Sequence, residues 1–255
     1  MKRNTDYKNA SLAALKGNWG KAVLATVIYL AVMYIAMGPM LYTQTKLQSF
    51  IRENTPQVST GNIGTAIRQA AEATVSMAQD PEFLELSTRA RGSRGLYYLM
   101  WFLLVMPLSV GYFNAFRLLL VLRNREIPSN MCRIATTGYW HKVWGMLLMA
   151  IFTFLWSLLF IIPGIVKMFS YAMTPFILEE NPYLTANEAI DRSRAMMKGH
   201  KFDLFWLLLS FIGWAILCVF TLGIGTLWLT PYMQTSIASF YEDVKADYEV
   251  NGGLV

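Results

Sequence analysis

Of the prolines inside apolar stretches of this chain, three recur on every second stretch: Pro107, Pro175 and Pro231. A proline within a helix cannot donate to the carbonyl four residues earlier. The carbonyls released this way are those of Leu103, Tyr171 and Leu227. In lipid, a freed carbonyl costs several kcal/mol unless a neighbour, a hydroxyl or water satisfies it. Polar residues cluster around the three positions: Asn114, Ser170, Thr174, Thr230 and Gln234. Two readings follow. The prolines and these side chains could line a polar interior that handles a small solute. Equally, the prolines could be packing kinks, with Thr174 and Thr230 as local donors.

Arg117 and Lys167 are the charges closest to the apolar runs. An intramembrane charge is a functional hint, but both lie within snorkelling reach of an interface. Glu179 and Glu180 end one apolar run and read as a helix stop at the membrane edge. His141 and His200 have no carboxylate or thiolate at ligand spacing. Zinc-protease, nucleophile-elbow and phosphate-loop motifs are missing. Cys132 and Cys218 suggest neither a disulfide framework nor a metal pattern. We expect no cofactor, no metal and no enzymatic activity.

The elements that carry these residues belong to a membrane protein. Hydrophobic residues make up 55 % of 255 positions and charged residues 15 %, against about 25 % charged in soluble domains. The expected fold is all-α: a polytopic membrane bundle of about six helices arranged as three hairpin repeats. The spans are placed at Lys21–Tyr42, Gly95–Leu122, Val143–Ile162, Ile165–Leu178, Phe202–Phe220 and Thr226–Tyr241. A four-span alternative makes the fourth and sixth segments re-entrant. The pair Pro163–Gly164 reads as the turn of the second hairpin, and Leu222–Gly225 as that of the third. Glu242, Asp243, Asp247 and Glu249 form an acidic tail.

The organisation is then a cytoplasmic amphipathic helix over 1–20 and a first hairpin over 21–122. A second hairpin with its lead-in covers 123–180, and a third covers 181–255. Residues 43–94 are polar and read as an extracytoplasmic loop carrying one or two helices, Ala66–Met77 among them.

A repeat underlies this layout. Ser11 to Gly17 matches Ser193 to Gly199 in Ser, Ala, Lys and Gly, and Gly17–Lys21 matches Gly138–Lys142. Each copy is a polar helix, a glycine stop, an anchor and an apolar run. A limb bearing one of the three prolines then returns.

The formal charge is +6, which fits the Lys and Arg excess of cytoplasmic loops better than nucleic-acid binding. Of the 22 Lys and Arg, only Lys46, Arg52, Arg68, Arg89, Arg91, Arg94 and Lys167 fall on the outer side. Both termini are therefore expected in the cytoplasm.

Several stretches together carry a family likeness: Trp156 with Pro163–Gly164, Tyr171–Phe176, Glu180–Pro182, Asn187–Ile190 through Ser193, Met197–His200, Pro231–Met233, Phe240–Asp243 and the opening Leu15–Ala22. At these the chain resembles the bacterial membrane family catalogued as "domain of unknown function 975". Residues 43–94 depart from that pattern. The resemblance implies a multispan protein of the bacterial cytoplasmic membrane and brings no activity, substrate or catalytic residue with it. The expected role is a scaffold or membrane-homeostasis protein binding lipids or proteins through its cytoplasmic helices or residues 43–94. The alternatives are a solute transporter or channel with its site near the prolines, and a membrane-embedded enzyme.

Overall fold

A computed structural model describes residues 2–55 and 63–251. Part of the stretch 43–94, read above as an extracytoplasmic loop with one or two helices, lies outside the described residues. Thirteen α-helices and no strand occur among the described residues. They are α1 (Asn4–Leu15), α2 (Trp19–Asn54), α3 (Ile63–Gln79), α4 (Pro81–Met100), α5 (Met106–Leu122), α6 (Ile127–Thr136) and α7 (Tyr139–Leu159). Then follow α8 (Ile161–Tyr171), α9 (Thr174–Glu180), α10 (Ala186–Met196), α11 (Lys201–Leu209), α12 (Ile212–Phe220) and α13 (Thr226–Val250). Five stretches are long and apolar enough to span a membrane: α2, α4–α5, α7, α8–α9 and α11–α12. The expected sixth, α13, is not among them. Its 25 residues include Gln234, Thr235, Ser236 and Ser239.

The chain divides into two compact units, one of residues 1–31 with 102–255 and one of residues 32–101. This differs from a division into successive hairpins. Residues 43–94, read as a loop carrying one or two helices, are helical over most of the described part, with Ala66–Met77 inside α3. Helix α2 runs to Asn54, α3 occupies Ile63–Gln79 and α4 starts at Pro81, capped by the Asp80 carboxylate on the Glu82 and Phe83 amides. Ala, Gln, Glu and Arg are strong helix formers, so a polar stretch rich in them remains helical. Within this unit Thr43 and Ser93 share a hydrogen bond, and Phe50 meets Phe83.

The larger unit holds the main core. Leu15, Ala22, Ala25, Tyr112, Phe116, Leu119, Ile127 and Met131 pack from α1, α2, α5 and α6. Gly111 permits the close approach of α5 to α6: a methyl group there would sit 2.2 Å from the Met131 carbonyl oxygen. Three polar helices each end in a left-handed glycine before the next helix begins: Gly17 (φ 78°), Gly138 (φ 60°) and Gly199 (φ 93°).

Three expectations change in this unit. The turn of the second hairpin falls on Phe160, an extended residue between α7 and α8, not on Pro163–Gly164. Proline in a first helical turn forfeits no hydrogen bond, so Pro163 starts α8 and does not break the chain. Gly164 instead lets α8 cross α7, because an added methyl would lie 2.7 Å from the Ser157 Cα. Pro175 is not inside a continuous helix, because the chain unwinds at Ala172–Met173 and restarts as α9. The fifth apolar run is two short helices with a bend at Ser210–Phe211. The acidic residues Glu242, Asp243 and Asp247 continue α13 and are paired with Arg117, Lys2 and His200.

Candidate functional site

The unwound stretch between α8 and α9 is the best-supported polar feature beside a proline. In an uninterrupted helix, Met173 would donate to Phe169 and Thr174 to Ser170. Here the Met173 amide donates to the Ser193 hydroxyl at 3.2 Å, and that hydroxyl donates to the Ser170 carbonyl at 3.0 Å. One fully buried side chain from α10 thus replaces two missing backbone bonds. Asn114, on α5, meets the same stretch: its amide donates to the carbonyls of Pro175 and Val110, each at 3.0 Å.

Two buried atoms beside this stretch have no hydrogen-bond partner among the described residues, Asn114 Oδ1 and Thr174 Oγ1. Of the residues singled out by sequence, Asn114, Ser170, Thr174 and Pro175 therefore come together. Pro231 is buried in α13 and Thr235 bonds to its carbonyl at 2.7 Å. Thr230 and Gln234 are half-buried and make no side-chain hydrogen bond among the described residues.

Pro107 is handled differently. The residues before it, Trp101–Val105, form a wide π turn. The Leu103 carbonyl that Pro107 cannot serve accepts a hydrogen bond from the Tyr139 hydroxyl. Tyr139 looks like an interfacial anchor in the sequence, and its contact lies 36 residues away.

Arg117 sits at the centre of a charged network joining α5, α9 and α13. Its guanidinium pairs with Glu180 and Glu242. Glu180 also receives Lys245 at 2.7 Å and the Tyr241 hydroxyl. The Arg117 side chain is 12 % exposed and that of Glu180 13 %, so these charges are partnered because water is scarce there. The guanidinium also lies 5.5 Å from the centre of the Tyr241 ring. Lys142, buried, pairs with Glu179 and donates to the Ile134 and Thr137 carbonyls.

Further from the prolines, Asp243 accepts from the Tyr7 hydroxyl at 2.7 Å and the Lys2 amide at 2.9 Å. Burial works to raise the Asp243 carboxyl, but the Lys2 amide, the Tyr7 hydroxyl and the Lys2 charge outweigh it and hold it below the usual range. Burial first, then the bond to Asp243, pushes the Tyr7 phenol well above its ordinary value. His200 meets Asp247 at 3.1 Å.

Chemically, the network is a clamp. Its carboxylates are matched by cations, and the Tyr241 hydroxyl that meets Glu180 is tied into the same network. Among the described residues no cluster of three His, Cys, Asp or Glu could hold a metal ion. The clefts nearest the prolines are apolar. One of about 500 Å³ is bounded by Phe113, Met146, Met149, Met168, Tyr171 and Pro175. Another of about 420 Å³ is bounded by Leu12, Trp19, Trp214, Leu217, Trp228 and Tyr232.

A search of curated proteins returned no match, and neither did a search of solved structures. A family model matches residues 1–248, essentially the whole chain, and with that match the chain belongs to DUF975, a family described as protein of unknown function.

Proposed function

We propose that this chain is a non-enzymatic scaffold of the bacterial cytoplasmic membrane. Both termini lie in the cytoplasm, and lipids or proteins bind through the cytoplasmic helices and residues 43–94. The observation that carries this reading is where the interior polar groups spend their bonds. The Asn114 amide, the Arg117 guanidinium and the Ser193 hydroxyl all bind the protein itself. A transport site needs such groups turned toward a solute, and the neighbouring clefts are greasy. The three left-handed glycines at equivalent points, each followed by an apolar limb, support a triplicated unit.

The test is permeability. Purified protein in sealed liposomes should give the same swelling and ion-leak rates as protein-free liposomes across neutral solutes, amino acids and monovalent ions. Saturable flux above that background would overturn the scaffold reading.

One observation favours a second reading, a transporter. Broken helices often hold transported substrates, and Asn114 Oδ1 and Thr174 Oγ1 lie buried and unpartnered beside the break. On this reading Asn114→Leu or Gln234→Leu abolishes flux while the protein still accumulates in the membrane. Unchanged flux in both variants refutes that placement.

A further inference from the structure

Length and apolarity alone admit a crossing by α7 and by α8–α9. What packs against them argues otherwise. Helix α10 carries Glu188, Asp191, Arg192 and Arg194 within eleven residues, and the first, second and last of these are exposed. It lies along the hairpin. Ser193 bonds to Ser170 and Met173, and Asn187, Ile190, Asp191 and Arg194 share a cleft with Phe152, Trp156 and Tyr171. Beyond it, Lys198, Gly199 and Lys201 border Ile165 and Val166.

Trp156 is ~25 Å along α7 from Tyr139 at ~1.5 Å per residue. An upright α7 would therefore draw the Asp191–Arg194 ion pair, and Lys198 and Lys201, unpaired among the described residues, through the hydrocarbon. Charges there are strongly disfavoured. A hairpin lying in the plane of one membrane face removes the conflict. Its exposed apolar side, with Phe154, Leu155, Leu158, Ile161, Ile162 and Ile165, then enters the acyl region, while α10 remains among the headgroups.

The same geometry points to a ligand. Lys167, Lys198 and Lys201 have no carboxylate partner among the described residues. Lys167 rests over the Trp156 ring at 4.3 Å, close enough to Arg194 and Lys201 to be repelled by both. A groove of about 440 Å³ opens beside this cluster. It is walled by Ile165, Val166, Phe169, Phe202 and Phe205, with Lys198 and Lys201 at its polar end. Unneutralised cations at the mouth of an acyl-sized groove match an anionic phospholipid, phosphate on the lysines and chain between α8 and α11.

We propose that the α7–α8 hairpin lies in one membrane face without crossing, and that the groove between α8 and α11 binds an anionic phospholipid through Lys198 and Lys201. This rests on the scaffold reading only in taking lipid as a partner.

The test uses the full chain in nanodiscs and has two arms. Single cysteines at Ile151, Leu155, Leu158 and Ile162, with Cys132→Ser and Cys218→Ala as background, carry a fluorophore whose depth is read with lipids spin-labelled along the acyl chain. The in-plane hairpin gives one shallow depth at all four sites. An upright hairpin gives a maximum near Ile151 and a return toward the surface at Ile162, and that result overturns the topology.

In the second arm, phosphatidylglycerol and phosphatidylcholine compete for the purified protein. Near a surface each lysine contributes an anionic preference of ~5-fold, or ~25-fold for the pair. That preference should be lost in Lys198→Gln/Lys201→Gln but kept in Lys16→Gln/Lys21→Gln. Equal retention of both lipids by wild type, or full competition by inorganic phosphate, overturns the lipid site. Neither arm depends on liposome flux, so failure of the scaffold reading would show separately.

Discussion

Replacing Ser193 with alanine tests the account of the broken helix most directly. The hydroxyl accepts from the Met173 amide and donates to the Ser170 carbonyl, and Ser193 is fully buried. Alanine fits the space and removes both bonds. Two backbone groups are then buried without partners, at a cost of ~1–3 kcal/mol each. The total is ~2–6 kcal/mol, reduced where the backbone can relax. At roughly 2–4 °C per kcal/mol for a chain of this size, the unfolding midpoint in detergent should drop by ~4–24 °C, toward the lower end where the backbone relaxes. Ser193→Thr retains a hydroxyl and should recover part of the loss. The readout is thermal unfolding by tryptophan fluorescence, with far-ultraviolet dichroism to confirm the helices at low temperature. An unchanged midpoint for Ser193→Ala would refute the idea that this side chain substitutes for helical bonds.

Other outcomes follow from the same contacts. Arg117→Leu removes the cation between Glu180 and Glu242 and should destabilise by ~3–5 kcal/mol; adding Glu242→Gln should restore part of it in a double-mutant cycle. Gly111→Ala puts a methyl against the Met131 carbonyl and should lower the midpoint more than Gly20→Ala, where space is open. Asp243 has a depressed folded pKa, so its contribution is complete above the unfolded value of ~3.9. It disappears as pH falls through the lower folded value; in Asp243→Asn this acid-limb loss should be absent.

What was legible in the sequence depended on distance along the chain. The glycine stops at Gly17, Gly138 and Gly199 could be read because a left-handed residue after a polar helix is a local signal. The capping box of Thr185 and Glu188, in which each side chain meets the other's backbone amide, is a contact of the same short range. Pro163–Gly164 misled because proline marks a helix start as readily as a turn, and only tertiary structure shows that Gly164 touches Ser157. Glu180 looked like a helix stop because its partners Arg117 and Lys245 lie 63 and 65 residues away. Ser193 gave no warning at all: a serine in a polar helix is ordinary until the helix beside it unwinds. The repeat could have pointed to it, since Ser11 holds the matching position and is also fully buried, receiving a hydrogen bond from Ser236 at 3.0 Å.

Helix α2 has 36 residues, which at ~1.5 Å each come to ~54 Å. A bilayer core is ~30 Å thick. However steeply that rod is inclined within the usual range of tilts, a substantial length of it must stand in headgroups or water. Its polar final turns, Gln48 to Asn54, suit that exposure. The hydrocarbon therefore accounts for only about half of the helix's length.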